Sequence, residues 1–280
     1  MLHRFSPVFW TPLLLLASGL SLDAAVVVYE DFEALSTGEL DGQAGGSGIA
    51  GDWTADTGAS EVVAAPVDFE VTLPTGEVIR SEGQSLRITG NNNNAVAASL
   101  ASPKTDTFFV GFLLQMEAGT IDQNDFTTLW FGEGTHIGAP AIGIKTELGP
   151  NSTDLMARVT GGSETYSATQ LGIGQSYYLV AKVSKTGDST TYNQVDFWVN
   201  PGSQDSASPE TTSTGTIAFD EFNAFGIRSV NLSGDDSVLI DNLTIATEWE
   251  DLFPNIPEPS TSLLILLSLV SLISHRRRAL

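Results

Sequence analysis

Carboxylates are the only side chains numerous enough to support chemistry in this chain. The 280-residue sequence has 34 Asp and Glu against 12 Lys and Arg, with three histidines and no cysteine. The lack of cysteine excludes disulfides, thiolate nucleophiles and thiolate metal sites. His136 is the one histidine away from the chain ends, so no set of imidazoles is available for zinc, and no Gly-x-Ser-x-Gly elbow is present. Two options remain: a carboxylate pair for glycoside hydrolysis, or hard oxygen ligands for Ca²⁺.

Aromatic rings that stack on sugars would indicate glycan binding instead. Of the tryptophans, Trp53 and Trp249 lie in loop-like stretches of sequence. The pattern predicts these two as glycan-binding residues, with packing in a core or at its rim as the alternative.

The segments that must position such residues are strands. Stretches rich in β-branched and aromatic residues recur between clusters of Gly, Asn, Asp and Ser, and several alternate between apolar and polar residues. No window longer than a dozen residues has a sustained helical period. We predict an all-β fold, a jelly-roll sandwich of two antiparallel sheets. The predicted strands are 26–32, 67–73, 85–89, 107–115, 126–131, 141–145, 155–160, 177–183, 194–199, 215–219, 224–230 and 238–246.

Several segments of this β-rich region also resemble a known fold family. They are 29–33 (YEDFE), 40–43 (LDGQ), 45–48 (GGSG) with Trp53, 108–112 (FFVGF), 177–183 (YYLVAKV), 196–201 (DFWVNP) and 240–243 (IDNL). Together they resemble the concanavalin A-like, or LamG-like, domains of exported proteins. The resemblance implies a lectin- or glucanase-type sandwich without implying an activity, because function is grafted onto such folds.

The resemblance also implies where chemistry would be placed. Glucanases of this superfamily carry their acids on one strand as Glu-x-Asp-x-Glu or Glu-x-Asp-x-x-Glu, and neither 30–33 nor 248–251 fits that pattern. Sandwiches of this type often hold a structural calcium that ties the first strand to the last. The matching residues are Glu30, Asp31 and Asp241; the tight loop 234–236 is a separate option, and the alternative is that these acids face solvent or cap turns.

The C-terminus has the pattern of a sorting signal rather than of a folded element. The uncharged run 260–274 lies between a Pro-Glu-Pro element and a basic end. As a helix, the 16 uncharged residues after Glu258 would span about 24 Å, and snorkelling arginines could make up the difference to the roughly 30 Å bilayer core. The sorting-signal residues are Pro257, Glu258, Pro259, Arg276, Arg277 and Arg278.

This tail resembles the PEP-CTERM signal of Gram-negative bacteria. The resemblance implies transient anchoring in the inner membrane, cleavage by an exosortase-type protease, and release to the cell surface or exopolysaccharide matrix. The terminal arginines agree with this orientation, because basic residues favour the cytoplasmic side.

The N-terminus indicates export as well. Arg4 is followed by an apolar run and by small residues, which is typical of a cleavable signal peptide. The predicted organisation is a signal peptide at 1–25, a β-sandwich domain at 26–250, a linker at 251–256 and the sorting signal, with its transmembrane helix, at 257–280.

Charge restricts the partners of the exported part. Residues 26–256 contain 8 basic and 32 acidic residues, a balance that repels nucleic acid and anionic lipid. We therefore predict an exported, non-catalytic protein that associates with polysaccharide, with a structural Ca²⁺ as the one cofactor to be considered. The alternatives are a glycoside hydrolase on the same sandwich and a purely structural or adhesive surface protein.

Overall fold

Alternation of apolar and polar residues builds this fold, because successive side chains of a strand point to opposite faces of a sheet. The computed structural model describes residues 26–253, apart from 56–57, 91–95, 121–124, 135–139, 147–152 and 204–207. The elements in these ranges are β1 (Val26–Glu30), β2 (Gly38–Glu39), β3 (Ile49–Ala55), β4 (Ser60–Ala64), β5 (Glu70–Thr72), β6 (Val78–Arg80), β7 (Gln84–Thr89), β8 (Val96–Lys104), β9 (Phe108–Ala118), β10 (Phe126–Gly132), β11 (Ala141–Thr146), β12 (Thr153–Arg158), β13 (Thr165–Gln170), β14 (Ser176–Ser184), β15 (Gln194–Val199), β16 (Thr211–Thr214), β17 (Phe222–Val230), β18 (Ser237–Ala246) and a 3₁₀ turn, η1 (Glu250–Leu252).

Two antiparallel sheets form the sandwich. The nine-stranded sheet has the order β16-β15-β14-β9-β18-β7-β4-β2, with β1 also paired to β18, and the seven-stranded sheet has the order β13-β12-β11-β10-β17-β8-β3. The prediction of an all-β fold with two antiparallel sheets is therefore confirmed, and the arrangement is consistent with a jelly roll.

The main core lies between the two sheets. Alternate residues of every long strand point into it, such as Val110, Phe112 and Leu114 of β9, all at most 1% exposed. Phe108 packs edge-on against Phe131 and Phe222. Burial of these large rings is the main source of stability in a chain without disulfides.

A second core covers the outer face of the nine-stranded sheet. Tyr178 and Trp198 leave this face and meet the hairpin of β5 and β6 together with the chain that follows β18. Trp249 is 3% exposed and packs edge-on against Trp198, with ring centroids 4.9 Å apart. Leu252 and Phe253, which fall in the predicted linker, are also buried in this second core.

The strand predictions succeed where alternation is strong. The predicted strand 194–199 has the same limits as β15, and ten others overlap observed strands. The predicted strand 215–219 is wrong: the chain there is irregular, and the strand that pairs with β15 is β16. β2, β3, β4, β6, β8 and β13 were missed as well, because they are short or rich in Gly, Ala, Ser and Thr.

Both predicted export signals lie outside the described residues. This applies to the signal peptide 1–25 and to the whole sorting signal, including Pro257, Glu258, Pro259 and the three terminal arginines. Within the part of the chain that the structure describes, no helix is long and apolar enough to cross a membrane.

Candidate functional site

Asp241 lies at a gap in the nine-stranded sheet. One edge of β18 pairs with β7 up to Ile240 and with β1 from Leu243 onward. Between these partners β18 has a bulge, where the register against β9 shifts and Asn242 adopts a left-handed conformation with φ of 50°. Bulges re-aim side chains and interrupt pairing. The carboxylate of Asp241 therefore leaves the sheet where two strands end.

This carboxylate is buried and incompletely paired. Asp241 is 0% exposed, its Oδ1 accepts the backbone N–H of Asn242 at 2.6 Å, and its Oδ2 has no hydrogen-bond partner among the described residues. Burial raises the pKa of Asp241 to about 8, and the charges of Glu33 and Asp31 raise it further against the opposing hydrogen bonds from Ser81 and Asn242. A buried acid with a free oxygen costs stability unless something compensates it.

Asp31 and Glu33 are the acids beside it. The Oδ1 atom of Asp31 accepts the backbone N–H of Glu33 at 3.2 Å, and Oε1 of Glu33 accepts that of Gln84 at 2.7 Å. Both acids are only partly exposed. Burial, and then the charges of Asp31 and Asp241, raise the pKa of the nearby Tyr29 to about 12. The structure thus brings the predicted residues Asp31 and Asp241 together and adds Glu33 to them.

Glu30 performs a different task. It is 3% exposed, and its carboxylate accepts the backbone N–H groups of Phe32 at 2.9 Å and Gly46 at 2.8 Å and the indole N–H of Trp53 at 3.1 Å. These three donors fix the chain after β1 onto the loop before β3. Donors surround this carboxylate, so the geometry does not offer it as a ligand for a metal.

A hard cation fits the pair of Asp31 and Asp241 in part. The free Oδ2 of Asp241 and the neighbouring carboxylates are oxygen donors of the type that Ca²⁺ prefers. In the described ranges, however, no group of three or more Asp, Glu or His side chains is close enough to hold a metal. Backbone carbonyls and water would have to supply the remaining ligands.

A cavity of about 340 Å³ lies beside this gap, between β1, β6 and the chain after β18. Its walls include the ring of Tyr29, which is 42% exposed, and the side chains of Arg80, Glu82 and Asn242. The hydroxyl of Tyr29 and Oδ1 of Asn242 are 3.4 Å apart. An exposed ring next to amide, guanidinium and carboxylate groups can take a small polar ligand with an apolar side.

The two tryptophans predicted to bind glycan lie elsewhere. Trp53 belongs to β3, is 1% exposed, and packs edge-on against Phe225 of β17 in the same sheet. Trp249 belongs to the second core and donates its indole N–H to the carbonyl of Ser203 at 2.7 Å. Neither ring is open to a sugar, because both are buried, so the role predicted for them finds no support in their placement.

The outer face of the seven-stranded sheet carries a cluster of cations. Arg158 of β12 and Arg228 of β17 both approach the ring of Phe126, with 5.7 Å and 4.9 Å from each guanidinium carbon to the ring centroid. Burial, and then the charge of Arg158, lower the pKa of Arg228. Thr128 is directly opposite Arg228 in register, and Trp130 lies across Gly226, which has no side chain to displace it.

Glu164 connects this cluster to a third cation. Its Oε1 accepts from Nζ of Lys145 at 2.9 Å and lies 3.3 Å from a guanidinium nitrogen of Arg158. Burial alone would raise the pKa of Glu164, but the hydrogen bond from Lys145 and the two positive charges prevail and lower it. Glu164 therefore holds Lys145 and Arg158 beside each other on this face.

Sequence reasoning missed Tyr29 and the cation cluster. Tyr29 follows three valines in β1, so its sequence context is apolar. Its ring is exposed because it lies beside the gap between β1 and β7. Lys145, Arg158 and Arg228 are spread over more than eighty positions of the sequence. Their scarcity in an acidic chain was the one available signal, and the pairing of β10 with β11 and β17 was needed to use it.

Comparisons with known proteins find similar solved structures, all at low sequence identity. No family model and no curated protein matches this chain. Among solved structures, a mutant of the alginate lyase Aly36B with an alginate trisaccharide is similar at a TM-score of 0.48 and 10% identity, covering 79% of this chain and 98% of that chain. The cellulose-induced protein Cip1 is similar at a TM-score of 0.48 and 14% identity, and the alignment covers 79% of this chain and 97% of Cip1. Domain 4 of AbnA, an arabinanase from Geobacillus stearothermophilus, is similar at a TM-score of 0.46 and 15% identity, and the alignment covers 82% of this chain and 99% of that domain.

Proposed function

We propose that this protein is an exported, non-catalytic, glycan-associating protein of the cell surface or extracellular matrix. The observation that carries the proposal is the cavity of about 340 Å³ with the exposed ring of Tyr29 and the polar side chains of Arg80, Glu82 and Asn242. Its volume falls in the roughly 300–1,000 Å³ range of small-ligand pockets, which suits one or two sugar units of a longer chain.

The remaining parts of the proposal come from the sequence. A PEP-CTERM tail with Pro257, Glu258 and Pro259 would hold the precursor in the inner membrane of a Gram-negative bacterium until an exosortase-type protease cuts it. Deletion of these three residues should leave the precursor uncut in cells. Normal processing of the deletion variant would refute this part alone.

Structural calcium is a separate part of the proposal. Asp31 and Asp241 would hold the ion, which would neutralise the buried carboxylate of Asp241 and close the gap between β1 and β7. Its chemistry is stabilisation rather than catalysis.

The test is binding of the full-length chain to a panel of polysaccharides, with and without a calcium chelator. Tyr29→Ala should weaken binding to the best ligand by about tenfold or more, because a stacking surface is lost, whereas Tyr29→Phe should keep most of it. Ile173→Ala is the matched control, since Ile173 is an exposed apolar residue that does not line the cavity. Equal binding by Tyr29→Ala and the wild type would refute the cavity as the glycan site.

A further inference from the structure

Exposed apolar side chains are concentrated at the Tyr29 cavity and at a cavity next to it. This second cavity has a volume of about 310 Å³, and Arg80 and Glu82 line both cavities. Of the four large apolar side chains that are exposed among the described residues, Val26 and Tyr29 line the first cavity and Val67 lines the second. Exposed apolar groups gathered at one place mark a binding surface. We call the two cavities together the groove.

Carboxylates outnumber cations in the walls of the groove. Among the described residues that line it, the acids are Glu70, Glu82 and Asp251, and Arg80 is the one cation. Arg80 is paired with Glu70, with 3.5 Å between a guanidinium nitrogen and a carboxylate oxygen. Burial raises the pKa of Asp251, whereas Glu82 is exposed and forms no ion pair with a described residue. Glu82 therefore leaves the groove with an uncompensated negative charge.

This negative charge extends to the Tyr29 ring. The charges of Asp31 and Glu82 both act on the Tyr29 hydroxyl, after the larger effect of burial, in the direction that raises its pKa. Asp241 adds little charge in mildly acidic solution, because burial raises its own pKa to about 8. The field at the ring therefore comes from two acids that are at least partly exposed. It favours a cation beside the ring and opposes an anion.

The exposed ring of Tyr29 is itself a partner for a cation. An ammonium group over an aromatic ring is attracted by the negative face of the ring. The cation–ring contacts of the described residues lie elsewhere, at Phe126 and Tyr192. An ammonium group in the groove would therefore meet an aromatic ring and the carboxylate of Glu82 together.

We propose that the glycan bound in this groove carries protonated amino groups, as a polymer of glucosamine does. This inference rests on the proposed function, since it names the chemical class of ligand for the same site. The exposed apolar side chains would contact the C–H faces of the sugar rings. Glu82 would accept a hydrogen bond from an ammonium group, and a second ammonium group or the same one would lie against Tyr29. Two adjoining cavities suit several units of a chain better than one sugar.

The experiment measures binding of the full-length chain to three β-1,4-linked trisaccharides that differ only at C2 of each sugar. The glucosamine trimer has amines, the N-acetylglucosamine trimer has acetamides, and cellotriose has hydroxyls. The buffer is mildly acidic, so that the amines are protonated and the carboxylates remain ionised. It contains a calcium chelator, because calcium at Asp31 and Asp241 would reduce the negative charge. We expect the amine trimer to bind at least about tenfold more tightly than the other two, since it adds a charged hydrogen bond and a cation–ring contact.

Two variants change the charge of the groove in opposite directions. Glu82→Gln should reduce the preference for the amine trimer by about threefold, because it removes the unpaired carboxylate. Arg80→Gln should strengthen binding of the amine trimer by about twofold or more, because it removes the opposing cation and releases Glu70. A poorly folded protein would not produce such a gain. Glu133→Gln is the control with the same charge change as Glu82→Gln, since Glu133 is exposed and follows β10 of the seven-stranded sheet; it should keep the preference.

The outcomes separate this inference from the proposed function. Equal binding of the amine and acetamide trimers would refute the amine preference and leave glycan association at Tyr29 intact. An amine preference that falls equally in Glu82→Gln and Glu133→Gln would reflect general attraction to an acidic protein, and it would also refute the inference. Weaker binding of the amine trimer by Arg80→Gln would contradict the charge argument. Binding of none of the trimers would refute the inference, whereas the proposed function fails only if the polysaccharide panel gives no binding either.

Discussion

The two outer faces of this sandwich differ in whether a second layer of the chain covers them. On the nine-stranded sheet, the hairpin of β5 and β6 and the chain after β18 return to cover Tyr178 and Trp198. On the seven-stranded sheet, the corresponding positions carry Lys145, Arg158 and Arg228 around Phe126. The inner faces are equally apolar, so the difference arises from what the outward residues are and whether the chain returns to cover them.

The comparison teaches how one architecture separates stability from recognition. Aromatic residues that point outward need a second layer to remove them from water, and that layer excludes a ligand from most of the face. The Tyr29 cavity lies at the edge of this covering layer, where the pairing of β18 changes from β7 to β1. The outer face of the seven-stranded sheet instead carries cations, two of which pair with Glu164.

The largest expected effect is at the covered face. Trp249→Ala should lower the free energy of unfolding by about 3–5 kcal/mol, because it opens a cavity between Trp198, Phe109 and Phe253. Chemical denaturation measures this loss, and Trp249→Phe should lose much less. A loss below about 1 kcal/mol would show that the second core is not a stabilising layer.

Calcium should produce the next largest effect. Calcium at a hundredfold excess over its dissociation constant would stabilise the fold by about 2.7 kcal/mol, seen as a higher melting temperature than with chelator. Asp241→Asn should remove this response. Asp235→Asn, in the alternative loop 234–236, should retain it, since Asp235 is exposed and remote from the gap. If Asp235→Asn alone removes the response, the ion binds at the loop.

The same carboxylate gives a pH dependence without calcium. Asp241 has an ordinary pKa of 3.8 that burial raises to about 8 in the folded protein. The folded state therefore binds more protons between these values, and its free energy of unfolding should fall as the pH rises from about 4 to 8. Melting in chelator across this range measures the slope, and Asp241→Asn should flatten it. A slope that is the same in both proteins would assign the titration to other groups.

A single hydroxyl makes a smaller contribution to the covered face. The Tyr178 hydroxyl lies over Gly111, which has no side chain to obstruct it, and donates to the carbonyl of Leu252. Tyr178→Phe should cost about 1 kcal/mol, the usual net value of one hydrogen bond. Hydrogen exchange should show the loss first in the chain after β18. Uniformly faster exchange would contradict a local role.

The smallest effect on stability is expected at the outer face of the seven-stranded sheet. Lys145→Gln should change the free energy of unfolding by about 1 kcal/mol or less, because partly exposed ion pairs contribute little. Removal of Lys145 leaves Glu164 with Arg158 as its partner. Chemical denaturation of this variant beside Trp249→Ala measures the contrast between the two faces. A severe loss of stability would make the cluster structural.

Much of the fold could be predicted from local pattern, whereas most of the candidate sites could not. Alternation around Trp198 located β15, because both faces of that strand meet a core. β8, with its run of Ala and Ser, gave no comparable signal. The acids at the ends of the domain suggested Asp31 and Asp241 through the family resemblance. Glu30, their neighbour, is instead surrounded by three donors that only the folded loop supplies.

The tryptophan prediction failed to find support for a related reason. Loop-like surroundings in sequence suggested exposure, but Trp53 belongs to a strand and Trp249 is held by a layer whose other residues are far away in sequence. Convergence of Arg158 and Arg228 likewise depends on strand register, which depends on long-range pairing. The sequence gives the type of each residue, but it does not show which distant residues that residue will contact.

The position of β18 also has a mechanical consequence. This last strand is bonded to β9 on one edge and to β7 and β1 on the other, and the chain leaves it through Trp249 and Phe253. A force applied to the chain beyond Phe253 would first detach the short turn η1 from the second core, which contains Tyr178 and Trp198. It would then load the middle of the widest sheet in shear, where many hydrogen bonds must break together. We therefore expect η1 to detach at low force and β18 to resist, because β18 is hydrogen-bonded along both of its edges.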